Sequence, residues 1–156
     1  MKLIKILPNF LTILNGFCGI LAILAISLNF LTQLQILYLV LLGAILDFLD
    51  GYIANILNVR SKIGAQLDSF SDLITFSIVP SFFIFHFLQN KTVELEFLPF
   101  LTLIIIPFSM FRLARFNTLP SESYFNGLPT PANGIFFMGI PSVSYTHLRA
   151  HETDYY

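Results

Sequence analysis

Four aspartates lie within apolar stretches of the sequence that are long enough to cross a lipid bilayer. Asp47 and Asp50 lie in one such stretch, and Asp68 and Asp72 lie in the next. An ionised carboxylate at the bilayer centre costs about 2.5–3.5 kcal/mol on insertion scales, so residues of this kind are functional candidates. Four unpaired carboxylates would oppose the insertion of two helices. We therefore expect a cationic group to compensate for them.

The spacing of these aspartates gives each pair a common helix face. Asp47 and Asp50 are three residues apart, and Asp68 and Asp72 are four apart. The short segment from Asn58 to Lys62 would return the chain antiparallel and bring the two faces together. Four carboxylates without His or Cys form an oxygen-donor site suited to Mg²⁺ or Mn²⁺. Two ions would balance the four charges and could clamp both oxygens of a phosphoryl-type displacement.

Small residues accompany the aspartates. Gly51 directly follows Asp50 and Gly64 opens the next helix, although each glycine costs about 1 kcal/mol of helix stability relative to Ala. Close approach of a phosphate or nucleotide to the backbone would explain both glycines, and Ala54 keeps the same face narrow. The residues alone leave two alternatives open. The carboxylates could line a proton or cation pathway, or they could face lipid headgroups beside a packing glycine.

The composition indicates an integral membrane protein. Of the 156 residues, 56% are hydrophobic and only 11% are charged, and the mean hydropathy is +0.79. A soluble domain carries about a quarter charged residues, so a water-soluble enzyme and a disordered tail are excluded. The net charge of −1 argues against a nucleic-acid partner. The single cysteine, Cys18, excludes an internal disulfide and a multi-cysteine metal site.

The apolar pattern predicts an all-α polytopic membrane helix bundle of about five spans, since a span needs about 20 apolar residues. The first follows Lys2 and Lys5 and is too long for a signal peptide, so we interpret it as a retained helix. The predicted spans are Phe10 to Phe30, Gln35 to Leu57, Gly64 to Leu88, Phe97 to Phe116, and a fifth that begins near Pro131 and is cut short at about Ile140.

The distribution of basic residues predicts the orientation in the membrane. With alternating spans, Lys91 lies on one side and the basic residues of the N-terminus, of the segment around Arg60 and of the end of the fourth span lie on the other. Cytoplasmic segments are enriched in Lys and Arg. The N-terminus and the aspartate end of the bundle are therefore predicted to be cytoplasmic.

The aspartates and the small residues between them resemble the signature of the CDP-alcohol phosphatidyltransferase family. The pattern is Asp47-x2-Asp50-Gly51-x2-Ala54-x9-Gly64-x3-Asp68-x3-Asp72, which holds seven of the eight fixed positions. The eighth is an Arg after the Ala, where this sequence has Asn55, so a catalytically inactive relative is one hypothesis. Segments from Pro8 to Gly19 and from Arg112 to Pro131 resemble the phosphatidylserine synthase branch. The resemblance covers residues 3 to 140.

This resemblance implies a membrane enzyme that moves the phosphatidyl group of CDP-diacylglycerol, or of an ether analogue, to the hydroxyl of L-serine and releases CMP. It implies two Mg²⁺ or Mn²⁺ ions held by Asp47, Asp50, Asp68 and Asp72, with Asp72 also the general base, and it implies a homodimer. The residues expected to bind the CDP-lipid are Asn9, Thr12, Gly51, Ala54 and Gly64. The candidates for binding a phosphate or the serine carboxylate are Arg112, Arg115 and Asn117, and the two arginines could instead be ordinary residues at a span end. The alternative functions are the same chemistry with glycerol 3-phosphate or inositol phosphate, and cation- or proton-coupled transport.

The last sixteen residues differ in character from the rest. Residues 141–156 are polar, and His147 and His151 are four apart within them. No third ligand is placed to join these histidines, so a metal pair is disfavoured. Members of the family have six spans. We therefore expect residues 1–140 to be a truncated membrane domain and residues 141–156 to be a non-native tail.

Overall fold

The computed structural model describes residues 6–59, 61–89, 97–118 and 129–139, and the regular structure in these ranges is helical throughout. Four of the helices are long and apolar enough to cross a membrane. The predicted all-α polytopic bundle is confirmed, whereas the predicted tail at 141–156 lies outside the described residues. The helices are α1 (Leu7–Leu28), α2 (Gln33–Ile56), α3 (Lys62–Gln89), α4 (Leu98–Thr118) and α5, at residues 130–139.

Local sequence signals fix where α1, α2 and α3 begin. Pro8 lies in the first turn of α1, where a missing backbone N–H costs nothing. Thr32 and Gln35 form a reciprocal capping box, so α2 begins at Gln33, two residues before the start of the predicted span. The hydroxyl of Ser61 accepts a hydrogen bond from the Gly64 N–H at 2.9 Å and caps α3.

Helix α3 changes its winding directly after Asp72. It is α-helical over Lys62–Leu73, π-helical over Ile74–Ile78 and α-helical again over Val79–Gln89. Such wide turns are rare and are frequently found at functional sites. Here the wide turn separates the half of α3 that carries the carboxylates from the half that carries the apolar core.

That apolar core fills the half of the bundle away from the aspartates. Helices α1, α2, α3 and α5 all contribute to it, while the opposite faces of the helices expose large apolar side chains such as Phe48 and Phe108. Exposed apolar surface on this scale is compatible with a lipid environment and not with water. The buried core residues are Ala22, Ala25, Ile26, Ile36, Val40, Phe76, Val79, Phe83 and Met138.

Helices α1 and α3 approach closely because glycines of α1 face small polar residues of α3. The hydroxyl of Ser71 donates to the carbonyl of Thr12 at 2.9 Å, and the hydroxyl of Thr75 donates to the carbonyl of Asn15 at 3.0 Å. A Cβ added to Gly19 would lie 2.6 Å from Thr75 Oγ1 and 3.0 Å from Thr75 Cα. Small residues at such crossings let the backbones meet, which is how membrane helices commonly associate.

Replacing Gly19 by Ala is therefore expected to destabilise the bundle. The new methyl group would press on the backbone of Thr75, and overpacking of this kind costs about 1–3 kcal/mol. We expect a lower melting temperature in detergent. The matched control is Gly51→Ala, because a Cβ there would meet nothing within 4 Å. Equal melting temperatures for the two variants would contradict this account of the α1–α3 contact.

Candidate active site

The four aspartates converge where α2 ends and α3 begins. Asp47, Asp50 and Asp68 each offer one carboxylate oxygen, and these three oxygens lie within 4.8 Å of one another. Asp72 lies one turn further along α3 and is outside that triplet. Its carboxyl contacts that of Asp47, which also contacts Asp68. The predicted meeting of two carboxylate faces is thus observed, with Asp72 at its inner end.

Two side chains of helix α1 donate hydrogen bonds to the aspartates. The hydroxyl of Thr12 donates a hydrogen bond to Asp50 Oδ2. The side-chain amide of Asn15 donates to Asp72 Oδ1 at 3.5 Å. Asn15 was not among the predicted site residues, although its spacing from Thr12 in the sequence could have indicated it. It lies three residues after Thr12 and shares its face in an otherwise apolar helix.

The donor set fits a divalent cation that prefers oxygen ligands. Asp50 is only 4% exposed, and Asp68 Oδ1 is buried without a hydrogen-bond partner. Buried polar atoms are nearly always paired, so an unpaired carboxylate oxygen beside two other carboxylates calls for a cation. Clustered carboxylates are the ligands of Mg²⁺ and Mn²⁺, whereas Zn²⁺ sites are built mainly from His and Cys.

A cleft of about 320 Å³ opens beside the carboxylates. Asp50 and Asp68 form its inner wall, and all five residues expected to bind the CDP-lipid line it. Phe116 of α4 also lines the cleft and was not predicted, since no local pattern shows which residue of α4 meets α1. The lining residues are Pro8, Asn9, Thr12, Asp50, Gly51, Ala54, Val59, Ser61, Gly64, Ala65, Asp68 and Phe116.

The two glycines of the signature have different surroundings. A Cβ added to Gly51 would project into open space, so this position leaves the cleft wall free for a ligand. A Cβ added to Gly64 would lie 2.9 Å from Asn9 Oδ1 and 3.0 Å from Ser61 Oγ. The close approach that we attributed to a ligand at Gly64 is therefore made, at least in part, by the protein itself.

The described residues that line the cleft include none of the candidates for binding a phosphate or the serine carboxylate, which are Arg112, Arg115 and Asn117. The amide of Asn117 donates to Ser69 Oγ at 3.0 Å, which ties α4 to α3 next to Asp68. Asn55, at the position of the family arginine, is exposed near the end of α2.

The comparison with known protein families identifies the family of the chain. The model of the CDP-alcohol phosphatidyltransferase family matches residues 5–145. The chain belongs to this family. The resemblance read from the aspartate pattern is therefore confirmed, and the aspartate cluster and cleft lie within the matched region. Asn55 departs from the aspartate signature of this family, which has an arginine at that position.

Three relatives carry the name CDP-diacylglycerol–serine O-phosphatidyltransferase. The protein from Saccharomyces cerevisiae is 33% identical over 86% of this chain and 52% of its own length. That from Methanocaldococcus jannaschii is 31% identical over 94% of this chain and 65% of its own length. That from Bacillus subtilis is 37% identical over 83% of this chain and 71% of its own length. The chain thus spans between half and three quarters of these relatives.

Proposed function

We propose that the chain transfers the phosphatidyl group of CDP-diacylglycerol, or of an ether-linked analogue, to the hydroxyl of L-serine and releases CMP. The observation that carries the proposal is the convergence of Asp47, Asp50 and Asp68 beside a cleft that is lined by Asp50, Asp68 and the signature's small residues. The names of the relatives support serine as the acceptor. Glycerol 3-phosphate or inositol phosphate as acceptor is the alternative within the same chemistry.

The carboxylates divide into ligands and a base. Asp47, Asp50 and Asp68 would hold the divalent ions, and Asp72 would lie near the ions as a further ligand and act as the general base. Two bound Mg²⁺ or Mn²⁺ ions would neutralise the diphosphate and stabilise the charge that develops on its oxygens. The cluster also sets the position of the substrate, because the cleft opens onto Asp50 and Asp68.

The transfer step follows from this arrangement. Asp72 accepts the proton of the serine hydroxyl while the hydroxyl oxygen attacks the phosphorus nearer the lipid. The bond from that phosphorus to the oxygen bridging the two phosphates breaks, and CMP leaves with the electron pair. Asn9 and Thr12 would hydrogen-bond the nucleotide or its diphosphate, since both line the cleft. A base held in place contributes about 10²–10⁴-fold to the rate of such a step.

The bundle presents this cleft at one end of its spans. The cleft residues come from the beginning of α1, the end of α2 and the beginning of α3, so they lie at one membrane surface. A CDP-lipid can keep its acyl chains beside the exposed apolar helix faces while its headgroup enters. We propose the cytoplasmic surface, because the basic residues concentrate at that end. A homodimer is proposed with it, as implied by the family resemblance.

Removing the hydroxyl of Thr12 is expected to weaken metal binding. Thr12→Val leaves Asp50 without its hydrogen-bond donor, and loss of such a partner typically costs 10–100-fold in metal affinity or activity, so we expect about tenfold here. Calorimetric titration with Mn²⁺ measures the effect. The matched control is Thr102→Val, whose hydroxyl bonds the carbonyls of Pro99 and Ser81. Unchanged Mn²⁺ affinity in Thr12→Val would contradict a supporting role.

An acceptor competition tests the proposed function against its alternatives. CMP release from CDP-diacylglycerol is followed in detergent with serine, glycerol 3-phosphate or inositol phosphate. We expect release with serine and Mg²⁺ or Mn²⁺ only. Release with another acceptor alone would keep the metal site and overturn the serine assignment. Metal-independent ion flux through vesicles, without CMP release from any acceptor, would favour the transport hypothesis.

A further inference from the structure

Asn15 is a polar side chain buried at the centre of the bundle. It has no exposed surface, and its amide nitrogen lies 3.5 Å from Asp72 Oδ1. Its side-chain carbonyl oxygen Oδ1 has no hydrogen-bond partner in the part of the chain that the structure describes. A buried acceptor left unpaired is costly, and buried polar atoms are seldom unpaired. An asparagine at this position is therefore expected to bring a benefit that outweighs this cost. The hydrogen bond from its amide to Asp72 is the candidate for that benefit.

Gly43 of α2 makes room for this asparagine. A Cβ added to Gly43 would lie 2.9 Å from Asn15 Oδ1 and 2.8 Å from Thr75 Cγ2. Gly43 lies one turn before Asp47 and so shares its face of α2. Three helices thus meet at one level, with Gly43 from α2, Asn15 from α1 and Asp72 from α3. The hydrogen bond from the Thr75 hydroxyl to the backbone carbonyl of Asn15 holds α1 against α3 at that level.

Asn15 is placed to act through Asp72 and not through direct contact with a substrate. The described lining of the cleft contains neither Asn15 nor Asp72, but Asp72 is 8% exposed whereas Asn15 has no exposed surface. Thr12 supports Asp50 in the same way, so α1 carries two donors on one face and each serves one carboxylate. A carboxylate held by a donor keeps its orientation, whereas a free one rotates and is less often aligned with the proton that it must accept.

We propose that Asn15 is a positioning residue for the general base and that Gly43 is required to leave space for it. The inference rests on the proposed function, in which Asp72 accepts the proton of serine. The amide of Asn15 holds the Asp72 carboxylate facing Asp47 and the incoming hydroxyl. Loss of the amide lowers turnover and leaves the binding of metal and CDP-lipid intact, because Asn15 belongs neither to the carboxylate triplet nor to the described lining of the cleft.

Kinetic measurements on two variants test whether loss of the Asn15 amide lowers turnover without weakening substrate binding. Asn15→Leu is expected to lower kcat about 10–100-fold, as is usual for residues that orient a functional group, with an unchanged KM for CDP-diacylglycerol. Gly43→Ala is expected to lower kcat less in Asn15→Ala than in the wild-type background, because the contact with Asn15 is then gone and only the contact with Thr75 Cγ2 remains. Gly139→Ala is the control, because a Cβ there meets nothing within 4 Å. An unchanged kcat in Asn15→Leu, or a KM that rises as kcat falls, overturns the inference.

A second readout does not depend on activity. In the full chain labelled with ¹⁵N-asparagine and held in lipid nanodiscs with Mg²⁺, the side-chain amide signal of Asn15 is assigned by its loss in Asn15→Leu. We expect Asp72→Asn to shift this signal, since a hydrogen bond to a charged acceptor is lost. An unshifted signal overturns the positioning role whatever the activity. A shifted signal together with a wild type that transfers nothing overturns the proposed function and the positioning role that rests on it, while the contact between Asn15 and Asp72 stands.

Discussion

Asp68→Asn is expected to abolish metal-dependent transfer. Asp68 is one of the three residues whose carboxylate oxygens lie within 4.8 Å of one another, and its Oδ1 has no hydrogen-bond partner among the described residues. An amide in its place removes one negative charge and one strong ligand. Metal ions contribute several kcal/mol to such reactions, and each 1.4 kcal/mol is a factor of ten, so we expect a loss of about a thousandfold in kcat/KM.

The measurement is CMP release in parallel with Mn²⁺ titration. Both the rate and the Mn²⁺ affinity should fall in Asp68→Asn. The control is the same chemical change at Asp154, which is outside the aspartate signature. Asp154→Asn should behave as the wild type. An Asp68→Asn variant with full Mn²⁺ affinity would show that the three converging carboxylates are not the metal site.

Asp72→Asn is expected to abolish turnover by a different route. Asp72 is buried and lies outside the carboxylate triplet, so its loss should affect Mn²⁺ affinity less than Asp68→Asn does. An asparagine cannot accept the proton of serine, and removal of a general base lowers the rate about 10²–10⁴-fold. We expect kcat to fall by this factor while the KM for CDP-diacylglycerol stays unchanged.

Comparison of the two variants shows whether Asp72 acts as the general base or mainly as a metal ligand. Mn²⁺ affinity and kcat are measured for both in the same detergent. If Asp72→Asn lost as much Mn²⁺ affinity as Asp68→Asn, Asp72 would act mainly as a ligand. If Asp72→Asn kept its turnover, the proton of serine would have to leave by another group.

Much of the site could be predicted because it depends on local spacing. Residues three or four apart share a helix face whatever the surrounding fold, which is why Asp47 and Asp50 could be paired from the sequence. The short connection between α2 and α3 then predicted that Asp68 would lie next to Asp47 and Asp50. The spans followed from apolar length alone, and their ends agree with the helices to within a few residues.

The parts that could not be predicted depend on how distant segments pack. The hydrogen bond from Asn15 to Asp72 joins residues 57 positions apart, and the one between Ser69 and Asn117 joins residues 48 apart. The wide turn at Ile74–Ile78 was also not predicted from the sequence. The contact of Gly64 with Asn9 likewise became apparent only from the α1–α3 arrangement.

Formation of labelled phosphatidylserine tests the central claim most directly. The full chain is incorporated into vesicles containing CDP-diacylglycerol and is supplied with Mg²⁺ or Mn²⁺ and ¹³C-serine. Lipids and nucleotides are then quantified by mass spectrometry. We predict ¹³C-phosphatidylserine and CMP in equal amounts, with both lost when the metal is chelated. CMP without labelled lipid, or labelled lipid that persists after chelation, would contradict the assignment of this aspartate cluster as a metal-dependent serine phosphatidyltransferase site.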